Sequence, residues 1–579
     1  MRALLFALAL LIPAGRAAAA PGPLDVLVAD YEAYALAQDP IAAGREGDAA
    51  ALSRLPDVRP AADVARRGAY MGFQKRLAAI PAVSLAGEAR LNRDFLAWTL
   101  DRRLKSLAFD EARMPFNSDS GFDQDLGYIA STTHLAGEAG ARAWIARLHG
   151  VARYYDDNIA NARRGVRDGF TQPRSTAERV LARARAATLG EVESDAMLAP
   201  FAGGELPGDL RAEAVRVIRD EVRPAQQRFA AFLEREYLPA SRPSLAARSL
   251  PNGEAYYRWL VSDHTTTDLT PDQIHGLGLS EVARIRAQME GVKAEAGFTG
   301  DLTAFIAMLR KDPRFYATSR EALLEKAALI DKRIDDLLPR YFATLPRLTF
   351  GVRPVPADIE ETYTSARYFE GAPKTGLAGG YMVNTSHLDQ RPLYELPALT
   401  AHESVPGHHL QIALAQELEG VPAFRRSASV TAFVEGWGLY AERLAGEMGL
   451  YRDPYERFGA LSMEMWRACR LVADTGIHWR GWSVDQARAC FIDNTALAPL
   501  NIDVELARYV GWPGQALAYK VGQLRILELR ARARQRLGDR FDIRRFHDAV
   551  LLAGPLPMEL LSVRIEAWIK DEAARSVTN

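Results

Sequence analysis

The chain has 579 residues, of which 25% are charged, and its acids and bases nearly cancel to a formal net charge of −1. That balance excludes the electrostatic footprint of a nucleic-acid binder or of an acidic tail. The length exceeds one ordinary core and predicts two subdomains, while a hydrophobic fraction of 48% rich in Ala, Leu and Arg predicts a mainly α-helical globular fold.

Residues 1–20 read as a secretory signal: Arg2, an apolar run from Ala3 to Pro13, and a small-residue tail Ala17 to Ala20. The run is too short to be a permanent span. Pro21 shifts the expected cleavage to Ala18 or Ala19, and the absence of a nearby cysteine argues against a lipid anchor. No later stretch has transmembrane length, so the expectation is an exported protein, periplasmic or secreted from a bacterium, with no membrane anchor.

From Leu24 to about Arg103 apolar residues recur at three and four spacing, the mark of amphipathic helices. Met114 to Gly127, with Pro115, Asn117, Asp119, Gly121 and Asp123, reads as a loop, either a cation holder or, as is commoner, a solvated turn. Further helices are expected from Arg142 to about Tyr237, broken near Gly203-Gly204 and Pro207-Gly208. The arginines near Ala160 are interspersed with acids, so a solvated face is the expectation there. Pro239 to Pro251 is a proline- and serine-rich connection. It divides an N-terminal helical lobe, 21–245, from a C-terminal lobe, 246–579. Thr270-Pro-Asp-Gln then starts a long helix, with Thr270 as N-cap, Pro271 at the first position and Gln273 completing a capping box.

The best strand candidates are Leu348 to Pro356 and Gly379 to Ser386, short and bounded by Gly and Pro. The second is expected to end just before the most informative stretch of the chain and to offer an edge to an extended peptide. Tyr381 and Asn384 are its candidate substrate contacts; a purely structural sheet is the alternative.

That stretch is Thr400-Ala-His-Glu-Ser-Val-Pro-Gly-His-His-Leu-Gln411. The chain has ten histidines, and three fall between 402 and 409 beside Glu403. The usual H-E-x-x-H motif puts two imidazoles at i and i+4 on one helix face, with the glutamate as base. Here Pro406 holds i+4. In a regular helix His408 would lie roughly 120° from the face of His402, and His409 about 10 Å along the axis. Pro406 and Gly407 predict an interruption, and a bulge absorbing two residues would return His408 to the missing place. The ligand pair is therefore His402 with His408, or His402 with His409. A zinc ion that works on water needs a third protein ligand. Val434-Glu-Gly-Trp-Gly-Leu-Tyr-Ala-Glu442 supplies Glu435 and Glu442 on one face, two turns apart. Glu435 is the expected ligand, and Glu442 the alternative ligand or a residue orienting a histidine.

Cys469 and Cys490 flank an expected turn at Trp479 to Ser483, so two antiparallel helices would either join them in a disulfide or bury two separate thiols. Gly476 reads as a C-cap, and His478 as a helix-terminal cation, with a substrate contact as the alternative. Trp512-Pro-Gly-Gln opens a helix on which Tyr519, Lys520 and Gln523 can share a face. Tyr519 is the candidate donor to the negative oxygen formed in peptide hydrolysis, and Lys520 a candidate substrate contact. A core tyrosine is the plain alternative. The helices around Arg545 to Leu552 and Pro555 to Met558 read as closing elements.

Three blocks, His402 to Gln411, Glu435 to Glu442 and Trp512 to Arg530, resemble the bacterial family called domain of unknown function 885, which is similar to the helical gluzincin metallopeptidases. The resemblance implies a two-lobed helical metallopeptidase-like fold, with a small β-sheet beside the active-site helix and a cleft between lobes that admits short peptides. It also implies one Zn2+ per chain held by His402, His408 and Glu435, with Glu403 as general base, and it supports Tyr519 opposite the metal. The rival readings are a metal-dependent amidase or esterase acting on a non-peptide substrate, and an exported binding protein without turnover.

Overall fold

The computed structural model describes residues 21–575 apart from 46, 203–206, 358, 374 and 375. The expected signal segment lies outside the described residues. Helices dominate, and the strands among the described residues form one three-stranded sheet.

Hydrophobic side chains gather into separate cores. One is built between Phe116 and Tyr237. The largest runs from Ile285 to Ile569 and takes in Phe95 from the N-terminal part. A smaller one, from Leu24 to Leu100, closes on Phe424. The first hundred residues therefore pack on the C-terminal half as well as on themselves. No helix among the described residues is long and apolar enough to cross a membrane.

The local signals near Thr270 act as expected. The helix Pro271–Glu295 starts with Thr270 Oγ1 accepting from the Gln273 N–H at 3.3 Å, while Gln273 Oε1 accepts from the Thr270 N–H at 2.9 Å. This helix lies along Pro454–His478. A disulfide joins Cys469 of that helix to Cys490 of Val484–Asn494. Of the two alternatives for these cysteines the bond forms, and closing a loop of 21 residues contributes about 3 kcal/mol in the chain-entropy account.

Gly476 is not the expected cap. It lies inside the helix, where a Cβ would meet the Trp482 ring at 2.3 Å. His478 is not a cation at a helix end either. It is buried, accepting from the Ala247 N–H at 3.2 Å and donating to the Tyr509 carbonyl at 2.8 Å, and burial pushes it down to about 3.

The sheet comprises β1 (Phe350–Pro354), β2 (Ala366–Phe369) and β3 (Gly379–Val383), in the order β1-β3-β2. β3 pairs in parallel with β1, Phe350 opposite Gly379, and antiparallel with β2, Tyr368 opposite Tyr381. Both expected strands form, but β3 is the central one. Its backbone groups are already paired, so it offers no edge to a peptide; the sheet's edges are the outer sides of β1 and β2.

Candidate metal centre

The helix Leu396–Glu403 stops at Glu403, and the next, His408–Glu417, begins at His408. The interruption is a complete break, not the two-residue bulge expected from spacing. At Gly407 the backbone presses so close that a Cβ would lie 2.0 Å from the His402 carbonyl oxygen. Trp437 holds the turn from outside by donating to the Pro406 carbonyl at 2.8 Å. Ser404 steadies its start, donating to the Thr400 carbonyl at 2.7 Å and pairing with buried Asp331, which burial pushes up to about 7. The break returns the chain on itself, so the His402 and His408 rings meet at 4.6 Å and 82°.

Glu435 comes from the helix Thr431–Glu447. Its Oε2 lies 3.5 Å from His402 Nε2 and 3.4 Å from His408 Nε2, and one ligand atom from each of the three residues falls within 4.8 Å of the others. Ligands at about 2.1 Å around a tetrahedral ion stand about 3.4 Å apart. The Glu435 Oε2 is buried and has no hydrogen-bond partner at normal distance. Two imidazoles and a carboxylate set at these separations fit a single zinc-like cation.

Glu442 occupies the orienting role. Its Oε1 accepts from His402 Nδ1 at 2.8 Å and from Arg467 at 2.9 Å, which turns Nε2 towards the ligand focus. Tyr451 donates to the Glu442 carbonyl. Gly438 completes the seat: a Cβ there would stand 2.6 Å from His402 Cε1. Close contact between Gly436 and Gly522, where a Cβ on the first would lie 2.6 Å from the second's Cα, draws the helix Ala518–Leu537 against this one. The Tyr519 ring is brought nearly parallel to that of His402, 13° between planes and 6.5 Å between centroids. Burial raises the Tyr519 phenol and Glu435 raises it further, while Arg508 and Arg470 pull it back.

Glu403 follows His402 at the helix end, and its carboxylate has no hydrogen-bond partner among the described residues. Tyr363 and Arg367 are the polar neighbours that sequence reasoning missed. Glu403 contributes to raising the Tyr363 phenol, and Arg367 stacks over the Tyr363 ring at 5.3 Å. Both lie in or beside a strand, β2, that has only four residues and no alternating pattern to announce it.

Four sequence-predicted residues are elsewhere engaged. His409 lies outside the cluster: it accepts from Tyr368 at 3.0 Å, donates to the Leu348 carbonyl at 3.0 Å, and is pushed down to about 4 by burial. Tyr381 is fully buried, its hydroxyl 3.2 Å from Thr400 Oγ1. Asn384 is buried too, donating to the carbonyls of Glu360, Tyr363 and Thr364. Lys520 is held by Glu464 at 2.7 Å, Glu281 at 2.9 Å and Gln523 at 2.8 Å. Tyr381 and Lys520 are sealed in the interior, while Asn384, with Ser365 and Arg391, lines only a small recess. The expected loop Met114–Gly127 is irregular only as far as Gly121, since Phe122–Ser131 is a helix; its Asp123 pairs with Arg183 at 2.9 Å, and Asp119 stands 3.7 Å from Arg367.

Proton linkage at the centre follows from its charges. Burial would push His402 down, but Glu435, Glu442 and Glu403 outweigh it and carry the imidazole up to about 9. Glu435 moves oppositely: burial would raise it, and His402 and His408 hold it well below the usual carboxylate range. A cation entering at any pH below about 9 therefore displaces a proton from His402. Calorimetry at pH 7 in buffers of different ionisation enthalpy is expected to report release of about one proton per ion, with affinity rising about tenfold per pH unit towards that value. Heats independent of buffer would remove His402 from the ligand set.

Fold and centre together define a class, a large helical protein with a two-histidine, one-glutamate cluster on three helices, the first two separated by a break. A family model described as "Bacterial protein of unknown function (DUF885)" matches residues 40–565, and the chain belongs to that family. Among solved structures it is similar to "the putative lipoprotein from Colwellia psychrerythraea", with a TM-score of 0.88 and 27% identity over 95% of this chain and 100% of that one. It also shares its fold with a chain from Shewanella oneidensis described as "a putative lipoprotein of unknown function", at a TM-score of 0.72 and 18% identity over 93% and 99% of the two chains. No curated protein matches the sequence.

Proposed function

We propose that the protein is a zinc-dependent hydrolase that cleaves peptide bonds in short peptides. The observation that carries the proposal is the convergence of His402, His408 and Glu435 at tetrahedral separations, with the unpaired carboxylate of Glu403 beside them. A divalent ion held there supplies Lewis-acid chemistry, acidifying a water and polarising a carbonyl. Glu403 takes the proton that the water gives up as its oxygen adds to the carbonyl carbon, and returns it to the amine as the C–N bond breaks. Tyr519 donates a hydrogen bond to the oxygen that becomes negative in between. Glu442 and Arg467 keep His402 in the tautomer that presents Nε2.

The Cys469–Cys490 disulfide and the lipoprotein designation of the Colwellia relative support an exported location, periplasmic or secreted. The test is a mixture of short peptides incubated with zinc-loaded protein and followed by mass spectrometry. Paired product masses summing to substrate plus one water are expected. Intact peptides with zinc bound, alongside cleavage of non-peptide amides or esters, would shift the reading to those substrates.

A further inference from the structure

Beside Tyr519 lies a group of charges that the hydrolytic steps above leave without a task. Arg470 and Arg508 both bond to one oxygen, Glu505 Oε2, at 3.0 and 2.9 Å, and the Tyr509 hydroxyl donates to the same atom at 2.8 Å. The second bond of Arg508 goes to the neutral amide of Gln515 at 2.6 Å. Burial would raise Glu505, but Arg508 and Arg470 hold it down at about 2, so it stays ionised. Two guanidiniums share this one carboxylate, and the other acid that Arg508 influences, buried Asp474, is pushed up to about 7 by burial, so positive charge predominates in a region with little solvent to screen it.

The excess sits next to the reacting end of the site. The Arg470 guanidinium carbon is 4.1 Å from the centroid of the Tyr519 ring, whose plane parallels that of His402. Arg470 is itself sealed in, and its Nη1 is buried without a partner. Arg508 retains 11% side-chain exposure against 3% for Arg470, so it is the less enclosed of the pair. From β2, Arg367 is close enough to Tyr519 and Arg508 to be perturbed by both. It is 48% exposed, and its nearest carboxylate, Asp119, stands beyond hydrogen-bond distance at 3.7 Å. Cationic groups thus approach Tyr519 from two helices and from the sheet, and a planar, fork-shaped donor such as guanidinium matches a carboxylate.

We propose that Arg508, with Arg470 behind it and Arg367 opposite, receives the free C-terminal carboxylate of the peptide, so that the enzyme is a carboxypeptidase that releases fragments from the carboxyl end. This rests on the hydrolase reading above. Water adds OH to the carbonyl carbon and H to the departing amine, and the fragment that leaves as the amine keeps the carboxylate held by arginine.

The experiment uses one short peptide made with a free carboxylate and with a C-terminal carboxamide. Binding is measured by calorimetry to the zinc-loaded Glu403→Gln full chain, and turnover with the wild type. The acid form is expected to bind roughly tenfold or more tightly than the amide, as for loss of a charge-assisted pair. Arg508→Gln is expected to abolish the difference through KM rather than kcat. Arg508→Lys, which keeps the charge at Glu505, controls for folding and is expected to restore part of the preference; Arg367→Gln probes the opposite wall. Equal binding of acid and amide, or cleavage of the amide at the rate of the acid, overturns the carboxylate assignment and leaves the hydrolase reading intact. No binding of either peptide to zinc-loaded protein, together with no cleavage by the wild type, overturns both.

Discussion

Glu403→Gln is expected to lower peptide turnover by about 10²–10⁴-fold, the range for removal of a general base, while zinc stays bound near one ion per chain. The two groups are nearly isosteric, and the carboxylate has no hydrogen-bond partner among the described residues to lose, so folding and ligand geometry have no reason to change. What changes is basicity: an amide oxygen cannot take a proton from water and pass it to an amine. Metal analysis by mass spectrometry and steady-state kinetics on the same preparation separate the two quantities. Turnover surviving in the variant, with full zinc, would assign the base elsewhere and sink the mechanism.

The second large effect is expected at a residue that touches no substrate. Gly438→Ala places a methyl group 2.6 Å from His402 Cε1 and 2.9 Å from both ring nitrogens, against a buried imidazole already tied to Glu442. The helix or the imidazole has to move. Overpacking of this kind costs about 1–3 kcal/mol, and a misdirected ligand weakens metal binding by about 10–100-fold or more. Zinc content after dialysis and the melting temperature, measured with and without zinc, check this. The stabilisation that zinc gives the wild type should largely vanish in the variant. A variant that keeps stoichiometric zinc would show that the contact is soft and that Gly438 is not part of the seat.

Much of this centre was legible because its chemistry is local. His402, Glu403 and His408 lie within seven positions, and Pro406-Gly407 announces an interruption whatever form it takes. Glu435 and Glu442 share a face by helical period alone, and the structure brings Glu435 into the cluster and Glu442 against His402. The capping box at Thr270 and the antiparallel hairpin closed by Cys469 and Cys490 are also short-range patterns.

Illegible were the directions of side chains whose surroundings come from distant segments. Tyr381 stands on β3 and Asn384 just past its end, yet the strand is flanked on both sides and both side chains are buried; nothing in Gly379–Val383 encodes the arrival of β2. Lys520 is adjacent to Tyr519, but its position on the helix aims it at Glu281 and Glu464, acids from elements far away in sequence. Arg470 and Arg508 escaped for the same reason: their meaning lies in sharing Glu505 beside Tyr519, a juxtaposition of three segments. His478 illustrates the limit of a rule correctly applied. A terminal histidine favours charge when it meets solvent, and this one meets the Ala247 amide and the Tyr509 carbonyl instead.

The bond between Cys469 and Cys490 fastens the helix segment that bears Arg467 and Arg470, the supports of Glu442 and Tyr519. Both of the chain's sulfur nucleophiles are consumed in it, so no thiol remains to capture zinc in competition with imidazole. Dithiothreitol in a purification buffer would both unfasten that segment and introduce a chelator, and samples handled this way report on a different protein from the oxidised one.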